Sequence, residues 1–107
     1  VNTTYSENVQ QQDEDYRLIQ DATAELENIL GKSADRATVE WSSERDDTGT
    51  ALYSLRLKDP TVEVQGQFAP DELRSRHQMR FRLYRIWGDL LQQSSLLRIA
   101  KLQEQGN

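Results

Sequence analysis

The stretch ATVEWSSERDDTGTALYSLRLKDPTVEVQGQF, residues 37–68, decides the fold. In it Ala37, Val39 and Trp41 alternate with Thr38, Glu40 and Ser42, the two-residue period of a strand with one buried face. Asp46-Asp47-Thr48-Gly49 suits a tight turn, and beyond it Ala51, Tyr53, Leu55 and Leu57 fall on one side, opposed by Leu52, Ser54, Arg56 and Lys58. Asp59-Pro60 supplies a second turn, after which Val62, Val64, Gly66 and Phe68 alternate with Glu63, Gln65 and Gln67. Three strands joined in this way make an antiparallel meander.

Helical patterns flank the meander. On the N-terminal side Leu18, Ile19, Ala22, Leu26, Ile29 and Leu30 recur at helical spacing, with Asp13, Glu14 and Asp15 at the end where acids are favoured and Gly31 as a stop. On the C-terminal side Pro70, Asp71 and Glu72 open a second helix that continues without proline to Glu104. The expected fold class is therefore α+β, in the order α-β-β-β-α, with two helices on one face of a three-stranded antiparallel meander and a long C-terminal helix. Trp41, Tyr53 and Phe68 are the expected core aromatics, covered by Phe81, Tyr84 and Trp87 of that helix. Residues 1–12 read as a frayed leader, 13–104 as a single α+β domain and 105–107 as a frayed tail.

The order helix, three strands, helix over about residues 13–90 is similar in topology to double-stranded RNA-binding domains. The motif departs from theirs: those domains carry lysines at the start of the second helix, where Pro70-Asp71-Glu72 stands here. Charge divides along the chain. Of 107 residues with a net charge of −5, residues 1–47 hold 4 basic and 12 acidic side chains and residues 48–107 hold 9 and 6. An acidic helix folded against a basic one is the simplest use of that division.

Catalytic chemistry finds little support. Asp47-Thr48-Gly49-Thr50 resembles the signature of aspartic proteases, but their aspartate ends an apolar strand in a shielded site, whereas Ser42 to Asp46 precede this one. Glu44, Asp46, Thr48 and Gly49 mimic part of a calcium loop, yet Leu55 falls where the bidentate glutamate belongs. His77 is the only histidine and cysteine is absent, so no zinc-ligand pattern exists. No enzymatic activity, cofactor or metal is expected, and no apolar run reaches the roughly twenty residues of a membrane span.

What remains is the second helix. Unbroken from Pro70 to Glu104 it would be about 52 Å long at 1.5 Å per residue, against a gyration diameter of about 26 Å for a domain of this size. Either it breaks near Gly88 or Ser94-Ser95 and folds back, or its second half projects with its leucines exposed. Leu83, Trp87, Leu90, Ser94 and Leu97 follow a short coiled-coil-like spacing. The expected function is a non-catalytic protein-protein interaction or oligomerisation module, with Trp87, Leu90, Leu91 and Leu97 facing a protein partner, most simply a second copy of the chain. The alternative is an RNA- or polyanion-binding domain acting through Arg74, Arg76, Arg80, Arg82 and Arg85. Pairing of these arginines with acids of the first helix competes with that alternative.

Overall fold

The computed structural model describes residues 1–105. In chain order the elements are β1 (Asn2–Tyr5), α1 (Glu7–Gln10), α2 (Asp13–Leu30), a 3-10 segment (Gly31–Arg36), β2 (Thr38–Arg45), β3 (Ala51–Lys58), β4 (Glu63–Phe68), α3 (Pro70–Arg74) and α4 (Arg76–Gln105). The class is α+β. Strands β2, β3 and β4 form the antiparallel meander read from the alternation, and its register aligns Val39 with Leu57 and Val64, and Trp41 with Leu55 and Gly66. The inward row is thus continuous across three strands.

The N-terminal segment differs from the frayed leader expected over residues 1–12. Asn2–Tyr5 adds a fourth strand, parallel to β2 at the edge of the sheet, which is therefore mixed. A parallel neighbour needs a crossover, and α1, α2 and the 3-10 segment supply it. Polar composition conceals the strand because only Thr3 and Tyr5 turn inward. Tyr5 meets Tyr16 edge-on at 5.1 Å, and Val9 is fully buried. Of the tail expected at 105–107, Gln105 closes α4 and the rest lies outside the described residues.

Both long helices cover one face of the sheet. On α2, Ile19, Ala22, Thr23, Leu26 and Leu30 are buried, and Gly31 ends the helix at φ 57°, a conformation glycine adopts without a Cβ clash. Buried Thr23 is fully satisfied: its hydroxyl donates to the Ile19 carbonyl at 2.9 Å and accepts from Trp41 Nε1 at 2.9 Å and from the Tyr5 hydroxyl at 3.4 Å. The other sheet face is polar, with Arg56 and Lys58 each bridging Glu40 and Glu63.

The second helix breaks, but at Ser75 rather than near Gly88 or Ser94-Ser95. Ser75 takes an extended conformation between α3 and α4, its carbonyl accepting from the Met79 amide at 2.9 Å and its hydroxyl from the Gln78 amide at 3.4 Å. From there α4 runs unbroken for 30 residues, about 45 Å at 1.5 Å per residue. That rod accounts for principal extents of 54 × 31 × 25 Å and a radius of gyration of 15.3 Å, above the roughly 13 Å of a globule of this length.

Candidate partner-binding surface

Helix α4 is held to the body by one row. Met79, Leu83, Ile86 and Leu90 are buried, with Trp87 half-buried beside them and Ser94 last. At Gly66 the helix comes so near β4 that an added Cβ would sit 2.4 Å from Ile86 Cδ1 and 2.9 Å from its Cγ1. Ser94 donates to Asp59 Oδ2 at 3.3 Å in the turn between β3 and β4. Partial burial alone would raise the Asp59 pKa, but the amides of Val62 and Thr61 and the hydroxyls of Thr61 and Ser94 together lower it.

The coiled-coil-like spacing Leu83, Trp87, Leu90, Ser94, Leu97 is thus the row that faces the chain's own body. Of the four expected partner residues, Leu90 belongs to the core and Trp87 lies against it, whereas Leu91 and Leu97 are exposed. Phe81 and Tyr84, expected over the core aromatics, point to solvent instead.

These exposed residues reveal a second apolar row on α4. Phe81, Tyr84, Leu91, Ile99 and Leu102 are 66, 46, 47, 50 and 61% exposed, and Gly88 and Ser95 complete the row. At about 100° per residue all seven fall within a sector of about 80°, centred about 150° from the buried row. A helix apolar on two opposite sides has no single apolar stripe, so a search for one-sided periodicity does not find this face. The recurrence of Phe81, Tyr84, Leu91, Ile99 and Leu102 at steps of three, seven and eight was the available signal. Gly88 adds an independent peculiarity: it is exposed in mid-helix, where glycine costs about 1 kcal/mol relative to alanine, yet a Cβ there would meet nothing within 4 Å.

Beyond Ser94 the inner side of α4 stands away from the body. It leaves a cleft of about 460 Å³ whose lining includes Leu30, Trp87, Leu91 and Leu97, with Arg36, Arg98 and Asp59 at the polar positions.

The arginine stretch is largely engaged within the chain. Arg76 and Arg80 reach Glu25 of α2 at 3.0 and 3.6 Å, and Arg74 pairs with Asp71 at 2.7 Å and lies 3.8 Å from Asp15. Arg82 pairs with Glu72, which also caps α3 by accepting from the Ala69 amide at 2.9 Å. Of the five, Arg85 forms no ion pair among the described residues. Asp15 in turn accepts from the Tyr53 hydroxyl at 2.5 Å, so burial, that hydrogen bond and the carboxylate's charge raise the Tyr53 pKa well above its usual value.

His77 is exposed on α4, and Asp47 is exposed in a turn where the Asp46 carboxylate accepts from the amides of Thr48 and Thr50, each at 2.9 Å. Among the described residues no three His, Cys, Asp or Glu side chains gather as metal ligands, and no helix is long and apolar enough to cross a membrane. Compared with models of protein families, with curated proteins and with solved structures, the chain matches none.

Proposed function

We propose that the protein is a non-catalytic protein-protein interaction module whose binding element is α4. One observation carries the reading: the helix continues unbroken past the body that holds it and leaves Leu91, Leu96, Leu97, Ile99 and Leu102 exposed. Large apolar side chains gathered on one element and rimmed by polar residues favour burial against another molecule. Truncated to its projecting part, α4 is also too short to be a stable helix in water unaided, so a partner that covers it stabilises its fold as well.

The polyanion alternative is the weaker reading. Four of its five arginines have carboxylate partners in the chain, and a phosphate would have to compete with these pairs.

Hydrogen exchange on the dilute chain tests the proposal. Amides of residues 92–105 should exchange far faster than those of β3, and a binding partner should slow them. Strong protection of those amides in the dilute chain would mean that its own body covers the tail, and the reading would fail.

A further inference from the structure

We propose that the outward row of α4 is a two-fold interface in which a second copy of this chain packs antiparallel, helix against helix. The inference rests on the interaction-module reading and names its partner. A two-fold contact places one surface against itself, so the surface must be complementary to its own reversal. The outward row meets that condition. Leu102 lies as far after the midpoint between Leu91 and Gln92 as Phe81 lies before it, and the same holds for Ile99 with Tyr84 and for Ser95 with Gly88.

A two-fold axis at that midpoint therefore sets Phe81 level with Leu102 of the other copy, Tyr84 with Ile99 and Gly88 with Ser95, while Leu91 lies one residue's rise, about 1.5 Å, from the level of its own equivalent. Large residues face large ones at both ends, and the two small residues face each other on either side of the centre. Small residues at facing positions let two helix backbones approach closely, which gives Gly88 the steric role it lacks within the chain. Apart from Leu91, which also borders the cleft beside Leu30 of α2, the row points away from the sheet and α2, so both bodies stay on the outside of the pair. From Phe81 to Leu102 the seam carries no charged side chain, with exposed His77 one turn before it; of the arginines flanking its start, Arg80 is paired with Glu25 and Arg85 is left to the rim.

An unrelated apolar segment could cover one face of a helix without any such symmetry in the row. The palindromic order is what selects a second copy.

The chain has no cysteine, so single introduced thiols report the geometry without background. Under mild oxidation Leu91→Cys should form a disulfide-linked dimer. Phe81→Cys and Leu102→Cys should cross-link when mixed and fail to do so separately. A parallel pair would reverse that last pattern, each variant linking to itself, and would overturn the proposal.

Sedimentation of Gly88→Ala gives a readout that separates association from folding. The substitution should raise the melting temperature of the dilute single chain, because alanine favours helix, while weakening the dimer about tenfold through a methyl group wedged between the backbones. A tighter or unchanged dimer overturns the close approach. A chain that stays single at every concentration, with freely exchanging tail amides, overturns the pairing and leaves the interaction-module reading standing. Strong tail protection in the dilute chain overturns both.

Discussion

Single residues fix how closely α4 approaches the sheet and what acid does to it. Gly66 sits against Ile86, and Gly66→Ala should cost about 1–3 kcal/mol of overpacking, measured by denaturant unfolding and partly restored by Ile86→Val. Thr23→Val removes the acceptor of the buried Trp41 indole N–H and should cost about 1–3 kcal/mol in the same assay. Asp59 contributes to the acid response. Its pKa is lowered in the folded chain, so its contribution is complete above the ordinary aspartate value of about 3.9 and is lost as pH falls through the lower folded value. Unfolding measured from about pH 5 down to about pH 2 should show this loss, and Asp59→Asn should flatten that limb. The core residues Trp41, Tyr53 and Phe68 were legible because alternation put them on one face. Thr23 was not, because a lone threonine on an apolar helix face carries no sign in the sequence of the indole it meets.

At the scale of elements, alternation and turn chemistry made β2, β3 and β4 readable, since the central inward positions bear apolar side chains or the glycine that admits Ile86, and polar residues such as Ser43 enter that row only towards the turn between β2 and β3. Strand β1 escaped the same test because four residues give too short a pattern, although Thr3, Thr4 and Tyr5 are good strand formers and Ser6 caps the helix that follows. The break at Ser75 escaped for a different reason. Serine is only mildly unfavourable in a helix, and its choice of a capping conformation depends on α3 docking against α2 and α4. On α4 the sequence revealed a surplus of apolar residues without dividing them between two faces. That division yields a sharp contrast between neighbours. Leu90→Asp should unfold the chain by burying an unpaired charge, whereas Leu91→Asp should leave its circular dichroism and denaturant midpoint in dilute solution nearly unchanged.

The whole molecule is a body carrying a helix longer than itself. Its sheet, α2 and the first half of α4 bury the core, and the second half of α4 adds length without adding burial. The length mismatch could be computed from the sequence. Its resolution by projection could not, because fold-back and projection differ by contacts between distant residues that periodicity does not register. Light scattering over a dilution series separates a pair formed through α4 from a lone chain. A reversible two-fold pair gives twice the 12.4 kDa chain mass at high concentration, one chain mass on dilution, and one chain mass throughout for folded Leu91→Asp. A single chain mass at every concentration for the unaltered protein, or a two-chain mass that Leu91→Asp does not disturb, would contradict it.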